Sequence, residues 1–524
     1  PLQKLGKAIE EVREGETELG SLDFRAAGDA FALWGGNSVG AAFGAEWRHE
    51  GYDDVRPPYA GLNPPGSGLD PESNDFLGFS PNSDTHGTRR VLAAYAEAVV
   101  PLVGNKFKLP LVQSLELSAS ARFESYSDFG DTTKPKLGLT WRPLAWVLVR
   151  GSYNEGFHAP NLAQLFTGTL IRTVTGSTDS YRSAVTGLPT DGPSNRRSVA
   201  SGNPNLQPEE SRGKSAGLVI EVPLVKGLSL GVDYWEIAQA NVIASSGSIA
   251  DDTQALNAAT QAALAAGQNI GAIDLGSGTA AYQGDGSVVR LAVTQADRDA
   301  FALYNSTRPA SSQRAVVGAI DILRTTYFNK SSEFVNGFDF DLTYRFPRLA
   351  LGNFTFNTTW TRLNDFHAYN AAGAARTELA GTNSAAVGGA TPTWRGSATL
   401  GWRRSAWSAS LSAYYTGDYS DSGATTTQAT ADSLGNPAYI VPVFTNGSTV
   451  YRYRVSDAIS YNASVSYRIR TASKWLNDTT VRLGMVNLFN AIPPLSSDSR
   501  GYDPSIYNQM ARGRSWSVQL TKKL

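Results

Sequence analysis

Alternation of hydrophobic and polar residues over about ten positions is the main pattern along the chain. In the segment 335–346, aromatic and aliphatic side chains alternate with Asp339, Asp341, Thr343 and Arg345. A strand with a period of two places these two sets on opposite faces. Carboxylates and an arginine on one face are costly in hydrocarbon but normal in the wet lumen of a membrane barrel. The same division recurs in the segments 115–124, 407–415, 461–469 and 516–521.

The stretch 133–166 predicts a hairpin of two strands around a tight turn at 142–145. Pro143 removes a backbone donor where no ladder hydrogen bond is needed. Trp141 and Trp146 flank the turn, and such amphipathic rings are typical of a membrane–water boundary. A long polar segment follows the second strand, so the hairpin has a short turn at one end and a long loop at the other.

Short and long connections alternate along the whole chain. The predicted short turns lie near 34–37, 102–111, 142–145, 223–227, 347–352, 404–406 and 471–478. The predicted long loops lie near 52–87, 158–211, 243–334, 368–391, 420–454 and 490–513, with a shorter one near 127–132. In a soluble β-sandwich, nothing requires all long connections to lie at one end of the strands. An outer-membrane barrel, in contrast, has short periplasmic turns and long external loops. We therefore predict an all-β transmembrane antiparallel barrel with about 15 strands in this chain.

The ends of the chain follow from the same alternation. Residues 1–19 are charged and helix-like, and we predict an external loop segment there, followed by barrel over 20–524. The last strand then ends on the periplasmic side, at Leu524. Because an odd number of antiparallel strands cannot close with matched edges, further strands are expected upstream. In the longest loop, the Ala-rich segment 249–268 predicts a short helix over the barrel mouth.

The amino-acid composition excludes several other classes of protein. Lysine and arginine total 46 against 47 acidic residues, so no basic excess indicates nucleic-acid binding. The chain contains no apolar run of the roughly 18 residues that a transmembrane helix needs. It has no cysteine, which excludes a disulfide framework and thiolate metal sites. It also begins without the regions of a signal peptide, which predicts a processed or partial chain for an exported barrel.

Several short motifs occur in order at 135–143, 150–153, 155–160, 202–209, 336–340, 486–490, 501–504 and 512–514. Taken in this order, they resemble those of TonB-dependent outer-membrane receptors. Three positions depart from the family pattern. His158 stands where the family commonly has arginine, Leu524 stands where the last residue is usually aromatic, and Lys522 stands where an apolar residue is expected.

The resemblance implies a barrel of about 22 strands closed by an N-terminal plug domain, which this chain lacks. It implies active import of a scarce nutrient, such as an oligosaccharide, a peptide or a metal chelate. The expected partners are outer-membrane lipid, a surface lipoprotein, and a polypeptide that carries the plug and the first barrel strands. That polypeptide is expected to be a separate chain or a cleaved fragment. The TonB complex is expected to act through the missing plug. No cofactor and no nucleic acid are expected. A passive porin-like channel or structural barrel, and a surface enzyme on a barrel scaffold, stay open as alternatives.

Charged residues on the inward face of the strands form the first set of candidate functional residues. A mixed-sign wall suits reversible docking of a polar plug, because exposed ion pairs contribute only ~0–1 kcal/mol each and can be broken in turn. A merely hydrated wall is the alternative. The predicted plug-facing residues are Glu46, Arg48, Glu97, Arg122, Glu124, Asp339, Asp341, Arg345, Arg468 and Arg482.

Aromatic residues of the loops and rim form the second set. Rings and hydroxyl groups suit stacking on sugars or peptides and hydrogen bonding to them, although they also suit ordinary loop solubility. A cationic cluster for an anionic ferric chelate occurs only at Arg196–Arg197, which favours a neutral or peptidic ligand. The predicted ligand-binding residues are Tyr52, Tyr59, Phe157, His158, Tyr181, Trp235, Tyr369, Tyr419, Tyr451, Tyr502 and Tyr507.

Catalytic chemistry has little support in the sequence. The four histidines lie far apart without metal-ligand spacing. No Gly-rich phosphate loop precedes a helix, and no nucleophile elbow joins a strand to a helix. We therefore predict no catalytic residue, no metal site and no enzyme.

Overall fold

The computed structural model describes residues 13–522 except 34–36, 71–72, 75–79, 104–108, 246–248, 330–331, 370–375, 385–387, 446–447, 474 and 499. The predictions made for residues 1–12 and for Leu524 lie outside the described residues. Strands and helices are numbered below in chain order.

One large antiparallel sheet dominates the structure. Fifteen strands follow one another in it, and the short strand β16 (Arg376–Glu378) adds to one of them. In sheet order the fifteen are β1 (Glu14–Ala32), β2 (Ser38–Val55), β3 (Thr85–Val103), β4 (Ser114–Tyr126), β5 (Gly130–Leu144), β6 (Val147–His158), β9 (Glu209–Glu221), β10 (Leu228–Ala240), β14 (Ser332–Arg345), β15 (Asn353–Tyr369), β19 (Trp394–Arg404), β20 (Trp407–Thr416), β24 (Ala458–Ile469), β25 (Thr479–Val486) and β26 (Ser515–Lys522). Among the described residues, β1 and β26 are the two edges of this sheet.

The connections between these strands confirm the predicted alternation. One end of the sheet carries short turns, such as 145–146 between β5 and β6 and 405–406 between β19 and β20. The other end carries the long connections 56–84, 159–208, 241–331, 370–393, 417–457 and 487–514 and the short turn 127–129. Strand β26 ends at the short-turn side, where the Lys522 ammonium donates a hydrogen bond to the Asn477 carbonyl.

Two local predictions are wrong. Residues Glu14–Leu19 are not helical but begin β1, where they pair with residues 50–55 of β2. The turn of the 133–166 hairpin is 145–146 rather than 142–145, because Leu144 already pairs with Val147. Pro143 lies in a register shift between Trp141 and Leu144, a position at which its missing N–H costs no ladder bond.

The sheet has two chemically different faces. Residues that pair on neighbouring strands lie on the same face, so each face continues across the whole sheet. The face that we call the polar face bears Glu46, Glu124, Asp233, Asp339 and Ser464. The opposite, apolar face bears exposed Trp47, Leu137, Phe340, Leu411 and Val518. Because a large exposed apolar surface is unstable in water, this face indicates contact with lipid.

The two longest connections, 159–208 and 241–331, fold together into one unit that we call the outer domain. Its strand β8 pairs in parallel with β13, so a strand of one loop lies beside a strand of the other. Its own core contains Tyr181, Leu256 and Phe301. Its elements are α1 (Leu162–Phe166), β7 (Leu170–Ser177), α2 (Ser183–Thr186), β8 (Ser194–Ser201), β11 (Ile243–Ser245), α3 (Ile249–Ala265), β12 (Val288–Arg290), α4 (Gln295–Ser306), β13 (Ile320–Asn329) and short 3-10 helices at Ile270–Ala272 and Ala310–Ser312.

Helix α3 confirms the predicted Ala-rich helix at 249–268. Asp251 and Asp252 lie in its first turn, as the sequence indicates, and favour the helix N-terminus electrostatically. Leu256 and Thr260 of this helix are fully buried in the outer domain. No helix in the described part of the chain is long and apolar enough to cross a membrane.

A second assembly, which we call the loop cluster, combines the connections 370–393, 417–457 and 487–514. Its core contains Ala390, Tyr419, Val455, Tyr507 and Met510, which come from all three connections. Its elements are β17 (Asn383–Ser384), β18 (Gly389–Ala390), β21 (Tyr419–Thr426), α5 (Gln428–Ser433), β22 (Ile440–Thr445), β23 (Ser448–Val455) and α6 (Pro504–Ala511). The long-loop end of the sheet therefore carries two packed assemblies rather than separate flexible loops.

Candidate functional site

A network of charges covers the polar face of β2 and β4. The Arg48 guanidinium donates to Glu46 at 2.6 Å and to Glu50 at 2.7 Å. The Arg122 guanidinium donates to Glu46 at 2.7 Å and also to Glu124. Alternation along each strand places these side chains on one face, and the register brings the two strands' charges within reach of each other. The structure thus joins four of the ten predicted plug-facing residues.

The other six predicted plug-facing residues lie on the polar face but apart from this network. Asp339 accepts a hydrogen bond of 2.7 Å from Thr361, and Arg468 forms an ion pair of 2.9 Å with Asp478. Arg482 donates to a serine hydroxyl at 3.2 Å. The remaining three, Glu97, Asp341 and Arg345, are exposed.

One ion pair of this face was not predicted from the sequence. The Arg150 guanidinium of β6 donates to Asp233 of β10 at 2.7 Å and passes over β9 to do so. Gly217 lies between them, and a Cβ there would stand 1.8 Å from the Asp233 carboxylate. The missing side chain therefore makes room for the pair. The arginine, the glycine and the aspartate lie on three different strands. The strand register must therefore be known before this pair can be predicted.

At its long-loop end, strand β3 carries a buried arginine that links the outer domain to the sheet. Arg89 is only 4% exposed and contacts the Asp128 carboxylate at 2.8 Å. Its guanidinium lies 5.4 Å from the centre of the Tyr126 ring. It also donates to the carbonyl of Pro160, just before α1. Phe157 packs edge-on against Tyr126 at 5.8 Å, so this predicted ligand residue belongs to a packed rim.

Inside the outer domain, a second charge network is completely buried. The Arg290 guanidinium contacts Asp179 at 2.6 Å and Asp252 at 2.8 Å, and none of the three side chains is exposed to solvent. Burial alone would lower the pKa of Arg290, but the hydrogen bonds and charges of the two carboxylates raise it above its ordinary value. Because every group faces inward, this network stabilises the domain and does not face an external ligand.

Three of the predicted ligand-binding tyrosines are buried. Tyr181 is fully buried, and its hydroxyl bonds to Thr260 and to the Ala315 carbonyl in the core of the outer domain. The structure therefore contradicts a direct ligand contact for Tyr181. Tyr419 is 2% exposed and donates to Asp503 at 3.1 Å, so its hydroxyl already has a partner inside the loop cluster. Tyr507 is also buried, but it lines a cavity.

The remaining predicted ligand residues do not converge on one site, and their roles stay predictions. His158 has a side chain that is 67% exposed and lies 3.1 Å from Glu209. Tyr59 is exposed with a φ of 67°. Trp235 lies on the polar face, and its buried indole N–H has no partner among the described residues. Three others occupy the long-loop end, at the close of β15, in β23 and beside α6: Tyr369, Tyr451 and Tyr502. Tyr52 lies on β2 near the same end.

A cavity of about 300 Å³ lies between helix α6 and the polar face of β20, β24 and β25. Tyr414, Ser460 and Asn462 line it from the strands, and Tyr507 and Gln509 line it from the helix. Of these five residues, only Tyr507 is predicted from the sequence to contact a ligand. The cavity exists because the connection 487–514, which contains α6, folds back onto the polar face of the sheet. Local sequence patterns do not predict this contact.

The histidines do not form a metal centre in the described part of the chain. Each lies within 4 Å of one carboxylate, and no group of three potential ligands is present among the residues placed by the structure. Structural zinc sites use four protein ligands and catalytic ones use three, so single His–carboxylate pairs do not suffice.

Comparison with known proteins agrees with this architecture. Among solved structures, the siderophore receptor PirA from Acinetobacter baumannii is 14% identical with a TM-score of 0.53, over 96% of this chain and 55% of that one. A mutant of the ferric enterobactin receptor PfeA from Pseudomonas aeruginosa is 16% identical with a TM-score of 0.54, over 97% and 54%. Such identities show the fold alone, and the chain spans about half the length of these receptors.

No curated protein sequence matches the chain. The family model described as "TonB dependent receptor-like, beta-barrel" matches residues 13–488, which is most of the chain. The family comprises outer-membrane proteins of Gram-negative bacteria. The two-faced antiparallel sheet, the loops gathered at one end and this match together show that the chain belongs to the TonB-dependent receptor β-barrel family.

Proposed function

We propose that this chain forms the larger part of the wall of an active importer, which takes a scarce nutrient across the outer membrane with energy from the TonB complex. The nutrient is an oligosaccharide, a peptide or a metal chelate. Further strands pair with the edges β1 and β26 and complete a barrel of about 22 strands, since an open sheet edge is not stable in lipid. A plug domain fills the lumen, and the short-turn end of the sheet lies in the periplasm.

The charge network of Glu46, Arg48, Arg122 and Glu124 is the observation that carries this proposal. The side chains of Glu46, Arg48 and Arg122 are between 22% and 34% exposed, so they remain reachable from the lumen although they already bond to one another. A polar plug can dock on such a wall and leave it again, because each partly exposed pair contributes little. A passive channel needs no such surface for a moving domain.

Energy-dependent uptake in cells that produce the whole receptor tests the proposal. We expect accumulation of the nutrient to stop when TonB is deleted or the proton gradient is dissipated. A matched strain that lacks only this receptor gives the background. Uptake that continues unchanged without TonB would contradict the importer and favour a passive channel.

Purification from outer membranes tests the partners. We expect a tag on this chain to bring down a plug-bearing polypeptide, which mass spectrometry identifies, and the same experiment reveals a bound surface lipoprotein. Replacing Arg48 and Arg122 by Met should weaken retention of the plug at high salt. The control replaces two exposed arginines far from the polar face of β2–β4, Arg308 and Arg500. A complex without any plug polypeptide would refute this part of the proposal.

A further inference from the structure

The cavity between α6 and the strand wall has the form of a small binding site. Helix α6 presents Ile506, Tyr507 and Met510 toward the polar face of β20, β24 and β25. The volume of about 300 Å³ lies at the lower end of ligand pockets, which suits one terminal unit of a larger molecule. Asp503 accepts a hydrogen bond from the Ser505 N–H at the start of α6 and holds the helix in place.

Tyr507 supplies an independent sign that something binds here. Its side chain is nearly fully buried, and its hydroxyl has no hydrogen-bond partner among the described residues. A buried polar group without a partner costs free energy, so native structures contain few of them and those few require an explanation. Burial, together with the nearby Asp503 charge, raises the pKa of Tyr507 to about 12, so the hydroxyl keeps its proton and can donate a hydrogen bond to a ligand oxygen.

The lining of the cavity indicates an uncharged ligand. Its polar residues are hydroxyls and amides, including Thr416, Ser460, Asn462 and Gln509, and none of the lining residues is charged. An anionic metal chelate would require cationic partners in the site. A peptide would gain most of its affinity by adding to a free strand edge, but β20, β24 and β25 each have a neighbouring strand on both sides. Hydroxyls and amides beside the Tyr414 ring suit a sugar.

We propose that this cavity binds a neutral sugar unit at the end of an oligosaccharide, with Tyr507 donating a hydrogen bond to a sugar oxygen. The inference rests on the proposed import function and names the substrate class for it. The sugar oxygen completes the hydrogen bonding of Tyr507, while Ser460, Asn462 and Gln509 contact further hydroxyl groups. Ile506 and Met510 provide the apolar contacts for the ring face.

Site-specific labelling tests the proposal in outer-membrane vesicles that contain the whole receptor. The chain has no cysteine, so Ala458→Cys, at a lining residue with no assigned sugar contact, introduces the single thiol of this chain at the cavity. The probes are neutral hexasaccharides of glucose, mannose, galactose, xylose and arabinose, with tetra-alanine amide and a ferric tris-catecholate for comparison. We expect at least one neutral hexasaccharide to slow thiol labelling about tenfold or more, and the other two probes to leave it unchanged. Protection by the peptide or the chelate alone, or by no probe, would overturn the inference.

Two substitutions test the role of Tyr507 and of the cavity in an otherwise unlabelled receptor. Tyr507→Phe removes the unpaired hydroxyl, so we expect about tenfold weaker sugar binding together with a higher thermal midpoint. Ser460→Trp fills the cavity and should abolish binding. Tyr467→Phe, at the other end of β24 on the apolar face, is the matched control and should change neither quantity. Unchanged sugar affinity in Tyr507→Phe would refute the proposed hydrogen bond.

Uptake measurements separate this inference from the import function on which it rests. If a nutrient enters in a TonB-dependent way but no sugar protects the cavity, the sugar site is wrong and the import function stands. If sugar binds the cavity but enters equally without TonB, the site stands and the importer is wrong.

Discussion

Replacing Arg290 by Met removes the cation of the buried network in the outer domain and leaves Asp179 and Asp252 without their partner. All three side chains are inaccessible to solvent, and the two ion-pair distances are 2.6 and 2.8 Å. Removing one partner of a buried ion pair costs about 3–5 kcal/mol, because a desolvated charge stays behind. Since about 1.4 kcal/mol corresponds to a tenfold change, the opening equilibrium of the domain should rise by roughly two to three and a half powers of ten.

Hydrogen exchange followed by mass spectrometry measures this change inside the intact protein. The peptides of α3 are the reporters, because Leu256 and Thr260 are fully buried and exchange there requires opening of the domain. We expect faster exchange in α3 and unchanged exchange in β19 and β20, since the damage is confined to the outer domain. Arg454→Met is the matched control, because its ion pair with Asp418 spans 3.2 Å but is about 40% exposed.

An exposed pair of that kind contributes about 0–1 kcal/mol. If Arg290→Met accelerates exchange in α3 no more than Arg454→Met does, the buried network does not hold the outer domain together. A uniform acceleration across the strands would also contradict the reasoning, because it would mean that the two parts unfold as one unit.

Three further predictions concern the rim, the loop cluster and the effect of acid. Arg89→Met removes the link from β3 to the Pro160 carbonyl, so we expect faster proteolysis at the entry to the outer domain, by about tenfold. Asp503→Ala removes the N-cap of α6 and the acceptor of the Tyr419 hydroxyl, and should lower the thermal midpoint by an amount equivalent to about 1–3 kcal/mol in calorimetry. Burial alone would raise the pKa of Asp297, but hydrogen bonds from Thr294 and Arg182 outweigh it and lower that pKa. A carboxylate with a lowered pKa stabilises the fold above its unfolded pKa of about 3.9 and loses this effect as the pH falls through the folded value. The protection factor of the α4 amides, which compares their exchange with the intrinsic rate at the same pH, should therefore fall below about pH 4.

Each of these predictions has a matched control. Arg308→Met, on an exposed arginine near the end of α4, should leave proteolysis near Pro160 unchanged. Asp432→Ala, in the exposed helix α5, should shift the midpoint less than Asp503→Ala does. Asp297→Asn should remove part of the acid effect, and an α4 protection factor that is independent of pH between 3 and 7 in the unchanged protein would refute the reasoning about Asp297.

The sequence was sufficient to predict the sheet because its signals are local. Alternation along one strand, as in 335–346, fixes which residues share a face, and the strand pairing confirms the two faces. The alternation of short and long connections fixes which ends of the strands lie together. The Ala-rich stretch predicted α3 for the same reason, since a helix start and a run of helix-forming residues are visible within one segment.

The assemblies at the long-loop end could not be predicted in this way. The parallel pairing of β8 with β13 joins two different loops, and no period within either loop indicates it. The polar residues Asp179, Asp252 and Arg290 look like ordinary loop residues until the fold buries them together. For the same reason the sequence predicts Tyr181 and Tyr419 as surface aromatics, although both are core residues in the structure.

The two assemblies at the long-loop end differ in how completely their buried polar groups are bonded, and this difference bears on which of them responds to a ligand. In the outer domain, Arg182 and Arg290 bond to carboxylates and to backbone carbonyls, and one buried atom, the Arg196 Nε, has no partner among the described residues. In the loop cluster, the buried Ser420 and Tyr507 hydroxyls and the Arg452 Nε atom have no partner among the described residues. Unmade hydrogen bonds raise the free energy of the empty state, and a ligand that completes them gains affinity. We therefore expect ligand binding to protect amides of the loop cluster more than amides of the outer domain, as hydrogen exchange with and without ligand would measure.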